Sequence, residues 1–191
     1  VVRPSSVEKV YTKLENVSIY NGYGPTENTT FTCCYKIPRE RPANKSIPIG
    51  KPIHGTSVYI VDASLKICPI GVVGELLTGG IGLALGYLNL KDLTDKKFIR
   101  NTIDPGKYKK LYRTGDLAKW LPDGTIEYTG RVDSQLKIRG FRIEPSEIEN
   151  HLSSHELIEE AVVIAKENET DKFLVCYYVS RKEIRSHSLK D

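Results

Sequence analysis

Methionine is absent from all 191 residues, position 1 included, and the chain opens abruptly on "VVRPSSVEKV". A sequence that starts this way is expected to be a piece of a longer polypeptide. Cysteine is scarce as well: Cys33, Cys34, Cys68 and Cys176 form no CxxC pair and have no spacing to histidine that closes a zinc site. That excludes a disulfide framework and a zinc-finger reading, and it leads us to expect buried free thiols in a reducing compartment. Long apolar runs are missing too. No stretch approaches the ~20 residues of a membrane span, and the N-terminus lacks a basic-then-apolar signal pattern, so a cytoplasmic protein without a membrane partner is expected. Nor is one sign of charge in large excess. The 28 basic and 24 acidic side chains give a net charge of +4 and are spread along the chain, which argues against a nucleic-acid partner. The densest basic cluster, "GKYKK" at 106 to 110, reads as a solvated loop, with a phosphate-binding arm as the alternative.

What is present suffices for one core or two smaller ones, with 39% hydrophobic and 27% charged residues. "PSSVEKVYTKLEN" carries Val7, Val10, Tyr11 and Leu14 at helical spacing, with Ser5 and Glu8 placed as a capping box. It feeds the β-like run "VSIY", and "TTFTCCYKI" reads as another strand. From "SIPIGKPIHG" onward, short β-branched runs alternate with Gly and Pro, which predicts a β-rich region. Within it, "PDG" at 122 to 124 marks a hairpin turn and "NLKDLTDKKFI" a short surface helix. After "GRVDSQLKIRG", Pro145 and Ser146 open a helix with Ile148 and Leu152 on one face, followed by the strands "EEAVVIAK" and "KFLVCYYV". The fold class expected is mixed α/β: the end of a layered α/β subdomain, a β-rich barrel-like subdomain, and a small α+β C-terminal lid. The expected boundaries are 1–50 for the α/β portion, 51–132 for the β-rich portion, and 133–191 for the hinge and truncated lid.

Several segments invite chemistry. "GGIGLALG" at 79 to 86 fails the GxGxxG spacing and reads as a tight turn in which backbone passes close to a neighbour. His151 and His155 lie four apart with no evident third ligand, so they are read as surface histidines. "NGYGPTE" at 21 to 27 is a turn by composition, yet at a strand end it offers a ring, a hydroxyl and an acid together. In "YRTGDLAKW", Asp116 either caps its own turn or accepts two hydrogen bonds from a cis-diol such as a ribose presents.

Taken together, "NGYGPTE", "GELLTGG", "YRTGD" and "GRVDSQLKIRGFRIEPSEIE" occur in the order found in adenylate-forming enzymes, and the chain resembles the adenylation domain of a nonribosomal peptide synthetase over nearly its whole length. In such enzymes ATP and Mg²⁺ activate an amino-acid carboxylate as an acyl adenylate, which a phosphopantetheine thiol on a peptidyl carrier domain then attacks. The resemblance implies roles residue by residue. Tyr23 stacks on adenine and Asn21 lies beside its exocyclic amine. Thr26 donates to the α-phosphate and Glu27 binds Mg²⁺. Asp116 holds the ribose hydroxyls, with Tyr128 and Arg131 completing the nucleotide site. Gly22, Thr30 and Phe31 line the substrate side chain and look like the end of a valine-type code, with isoleucine and leucine left open. Asp133 matches the hinge of the lid, and Gly140 the passage for the pantetheine arm.

Two family parts cannot be found here: the Gly/Ser/Thr-rich phosphate loop and the lysine near the domain's C-terminus. Lys137, in the hinge region, is not that lysine. The 191 residues by themselves are therefore expected to be inactive. Implied partners are the amino acid, the carrier domain and a condensation domain of the same antibiotic-producing polypeptide, with an MbtH-type helper as a further candidate. The competing readings are a ligase of the D-alanine or acyl-CoA type and a non-catalytic nucleotide-binding or docking module.

Overall fold

The computed structural model describes residues 2–40, 46–133, 135–138, 141–167 and 172–180. The chain divides into two compact units, Val1–Val132 and Asp133–Asp191.

In the first unit, helix α1 (Pro4–Lys13) starts with Pro4 in its first turn, where a missing N–H costs nothing. This corrects the capping-box expectation: Arg3 is the N-cap and no side chain caps the helix, because Pro4 moves the start ahead of Ser5. Val7 faces inward and packs with Ile37 and Ile47, flanked by Tyr11 and Ile19. The Tyr11 hydroxyl donates to the Ile37 carbonyl at 2.6 Å and accepts from the Ile19 amide at 3.1 Å, tying the helix to the strands beneath it.

Strands β1 (Ile19–Tyr23), β2 (Cys33–Ile37) and β3 (Lys51–Pro52) form an antiparallel sheet in that order. A second antiparallel sheet runs β4 (Thr56–Val61), β5 (Gly74–Gly80), β7 (Lys110–Trp120), β6 (Phe98–Arg100), with helix α2 (Lys91–Lys97) just before β6. Strand β8 (Ile126–Arg131) also pairs with β7, so β6 and β8 lie end to end along one edge of that long strand. The turn before β8 is the expected one: Gly124 has φ +75° and its amide bonds the Leu121 carbonyl at 2.9 Å. The two sheets are joined where the Ile49 amide donates to Ile126 O and the Ile126 amide to Gly50 O, both at 2.8 Å.

Beneath this junction lies the main core, Cys33, Ile49, Val58, Ile60, Leu76, Ala118 and Ile126, with Tyr23, Trp120 and Tyr128 packed against it. Val61, Leu77 and Leu111 form a third cluster on the other side of the sheet. The thiols need correction. Cys33 and Cys68 are buried, but Cys34 and Cys176 are exposed, since neighbours on a strand face opposite ways. Burial pushes the Cys33 thiol up to about 12, with Cys34 adding to the shift.

In the second unit, β9 (Leu136–Ile138) and β10 (Phe141–Ile143) make a small antiparallel pair ahead of helix α3 (Pro145–Ser153). Strands β11 (Ile158–Glu167) and β12 (Lys172–Ser180) follow as a second antiparallel pair. Glu149 of α3 accepts the Val163 amide at 2.8 Å. Val163 and Ile158 are buried, while Val162, Ile164, Phe173, Tyr177 and Val179 are exposed.

Candidate nucleotide site

Strand β1 is followed by "GPTEN", where a single 3-10 turn, Thr26–Asn28, leads the chain toward β2. The turn is closed tightly. Thr29 and Thr30 both adopt left-handed backbone, at φ +47° and +44°, which β-branched residues rarely do. Gly24 lies so close to the returning strand that a Cβ there would stand 2.6 Å from both Thr30 O and Thr32 N. The Thr32 amide donates to Tyr23 O at 2.7 Å. Beneath the turn, buried Asn28 donates through Nδ2 to Thr32 Oγ1 at 3.1 Å and Thr78 Oγ1 at 2.9 Å.

This packing sets the outward side chains. Thr26 is exposed and Glu27 is buried. Glu27 Oε1 accepts from the Tyr87 hydroxyl at 2.6 Å, and that hydroxyl lies 3.1 Å from the Tyr112 hydroxyl. Both rings rest against Phe98, with centroids 5.5 and 5.1 Å away. Burial, with the Glu27 bond adding to it, raises the Tyr87 hydroxyl well above an ordinary phenol. The sequence singled out neither Tyr87 nor Tyr112, and only the pattern Tyr-Leu-Asn-Leu after the glycine turn could have drawn attention to the first.

The turn at 79 to 86 does bring backbone close to a neighbour. Thr29 Oγ1 donates to Gly82 O at 2.7 Å, and a Cβ on Gly82 would lie 3.1 Å from that hydroxyl oxygen. The Ala84 amide donates to Glu27 O at 2.8 Å.

Asp116 is buried on β7 and draws two other segments to itself. The Tyr23 hydroxyl donates to Oδ2, and Arg131 Nη1 donates to Oδ1 at 2.7 Å. Burial first and the Asp116 charge second raise the Tyr23 phenol far above its usual value, so it stays a donor throughout the neutral range. Tyr128, three residues before Arg131 on β8, packs with Tyr23 against the main core. Asn21 is buried and donates Nδ2 to Pro48 O at 2.7 Å. Gly22 lies under the ring of exposed Phe31, whose Cε1 would be 2.4 Å from any Cβ added there. Thr30, next to that ring, is exposed.

Thus Tyr23, Asp116 and Arg131 meet through direct bonds, and Gly22, Thr30 and Phe31 are neighbours on the returning turn. Asp133 belongs to the second unit, where its Oδ1 accepts the Gln135 amide at 3.3 Å. Gly140 lies outside the described residues. Among the described residues, no three His, Cys, Asp or Glu side chains come together, so His151 and His155 gain no third ligand there. No helix among them is long and apolar enough to cross a membrane.

Comparison with known proteins gives matches along nearly the whole chain. Residues 1–88 match the family of AMP-binding enzymes. Gramicidin S synthase 2 of Brevibacillus brevis is 49% identical over 98% of the chain, and surfactin synthase subunit 2 of Bacillus subtilis 48% identical over 98%. The chain spans only 4% and 5% of those two proteins. Among solved structures, holo-PA1221, an NRPS protein containing adenylation and PCP domains bound to a vinylsulfonamide inhibitor, superposes with a TM-score of 0.88 at 31% identity. That match covers 99% of the chain and 33% of PA1221. With the fold of a solved NRPS adenylation protein and about half its residues in common with peptide synthetases, the chain belongs to the AMP-binding enzyme family, among the adenylation domains of nonribosomal peptide synthetases.

Proposed function

We propose that the chain forms one wall of an ATP site at which an amino acid is converted to aminoacyl-AMP. The observation that carries this reading is the meeting of Tyr23 and Arg131 on the Asp116 carboxylate, because it joins three separated motifs at one buried acid. Each Asp116 oxygen accepts one bond from these partners and has a second lone pair to offer a ribose hydroxyl. The Tyr23 ring stacks on adenine. Asn21, its Nδ2 committed to Pro48 O, presents Oδ1 to the exocyclic amine. Tyr128 and Arg131 complete the nucleotide contacts.

Thr26, exposed at the head of the turn, donates to the α-phosphate. Glu27 is the metal-holding acid, with Tyr87 fixing its orientation. One protein carboxylate suits Mg²⁺, which keeps water and phosphate oxygens for most of its shell. When bound, the ion offsets phosphate charge. The amino-acid carboxylate attacks the α-phosphorus. A carboxyl oxygen–phosphorus bond forms, the bond to the bridging oxygen breaks, and pyrophosphate leaves. A carrier-bound phosphopantetheine thiol then attacks the acyl carbon and AMP departs.

Gly22, Thr30 and Phe31 line the substrate side chain and favour a compact aliphatic group, with valine first. A single methylene changes discrimination by only about 1–3 kcal/mol, so isoleucine and leucine compete. Asp133 serves as hinge of the small unit and Gly140 lines the pantetheine passage. The setting is a cytoplasmic synthetase with carrier and condensation domains in one polypeptide, assisted by an MbtH-type helper.

Amino-acid-dependent pyrophosphate exchange into ATP, run with a complete adenylation domain that includes this chain and all twenty amino acids, tests the proposal. Exchange led by valine is expected, and none from the 191 residues by themselves. Exchange led by a bulky or charged amino acid overturns the pocket reading, and silence from a folded, ATP-binding domain overturns the activity.

A further inference from the structure

Asp116 reaches its partners from a bulge whose support lies away from them. Along β5 and β7 the register jumps: Glu75 faces Leu117 and Leu77 faces Arg113, so Thr114, Gly115 and Asp116 together stand against Leu76. A loop of that kind within a ladder leaves backbone groups unpaired unless something fills it. Gly115 takes φ +72° to make the bend. Its amide donates to Glu75 Oε1 at 3.3 Å, and its carbonyl accepts the Val132 amide at 2.8 Å. Thr114 Oγ1 donates to Leu76 O at 2.6 Å and accepts the Asp116 amide at 2.9 Å.

The Glu75 carboxylate is gripped in turn. Arg113 reaches Oε2 through Nη2 at 2.5 Å and Nε at 3.1 Å, and Nε also lies 3.3 Å from Oε1. Glu75 is the more buried partner, with 12% of its side chain exposed against 41% for Arg113. A forked pair of this type fixes direction as well as distance, which a lysine or a neutral amide does not reproduce.

We infer that Glu75 and Arg113 are positioning residues for Asp116. Their ion pair braces the bulge, holds the Gly115 amide, and so sets the direction from which the Asp116 carboxylate meets a ribose diol. This rests on the ribose role of Asp116 given above. Neither residue needs to touch the nucleotide, and their contribution appears only where the ribose hydroxyls are present.

The experiment compares ATP with 2′,3′-dideoxy-ATP by equilibrium dialysis, using a complete adenylation domain that includes this chain, as wild type, Glu75→Gln and Arg113→Lys. The wild type is expected to bind ATP tighter than the dideoxy nucleotide by on the order of tenfold, the value of hydrogen bonds to a charged acceptor. Both variants are expected to lose most of that preference while binding dideoxy-ATP as the wild type does. Arg113→Lys keeps the charge and tests the fork if Glu75→Gln folds poorly. A preference that survives in both variants overturns the brace, and so does an equal loss for both nucleotides, which marks general disruption. A wild type that does not discriminate overturns the ribose role of Asp116, and the brace with it.

Discussion

Two carboxylates of the proposed site, Asp116 and Glu27, are delivered by opposite means. Asp116 stands on a sheet bulge surrounded by charge: Arg131 on the acid itself, Glu75 and Arg113 behind the backbone that carries it. Glu27 stands on a single 3-10 turn tied down through Asn28, Thr29 and the Ala84 amide, with left-handed threonines next in the chain. One acid is aimed by ion pairs on a rigid ladder and the other by a tightly folded backbone. The lesson is that the first should yield to loss of a partner and the second to added bulk.

Arg131→Ala should have the largest effect. It leaves the buried Asp116 carboxylate without its cation, a change that typically costs about 3–5 kcal/mol. A shift in the urea midpoint of the adenylation domain measures it, and a loss below 1 kcal/mol would remove charge from the account of the bulge. Next comes Gly24→Ala. The new methyl would press on backbone atoms of residues 30 to 32, none of which can swing aside, at a cost of roughly 1–3 kcal/mol. Equal stability of that variant and wild type would mean the turn is looser than its geometry indicates. The smallest effect has the opposite sign. Thr30→Gly frees a β-branched residue from φ +44°, and relief of about 1–2 kcal/mol is partly offset by glycine's chain entropy, leaving a gain of ~0.5 kcal/mol. Measured beside exchange activity, it also shows whether the strained turn is needed to present Phe31.

How much of this was readable in the chain differs between these features. Mixed α/β order, the hairpin at Gly124, the helix at Pro145 and the family follow from local patterns and motifs, because each depends on residues close in sequence. The convergence of Tyr23, Asp116 and Arg131 was implied by resemblance, though no spacing rule dictates that two of them would bond to the third. Glu75 with Arg113, Tyr87 with Glu27, and Asn28 with Thr78 were not legible. Each pair is brought together by strand register or by a turn returning from far along the chain, and single residues of those types read as ordinary surface or core. The capping box failed for a smaller reason: Ser5 and Glu8 have the right spacing, but Pro4 already occupies the first helical turn. Exposed Cys34, next to buried Cys33, shows how strand alternation overrides a residue's average preference.

The pair of hydrogen bonds between Ile126 and the Ile49–Gly50 segment also orders events in time. Strands β1 and β2 are joined by a short turn and can pair as soon as both have been synthesised. The seam at Ile126 closes only after β8 has left the ribosome, whereas Asn28 of the turn can already reach Thr78 of β5 before that. Until then Cys33 of β2 and the neighbouring Ile49 lack the cover that Ile126 of β8 gives them in the main core. Slower translation between these two points lengthens the time for which that part of the core stands incompletely covered, and with it the exposure to aggregation.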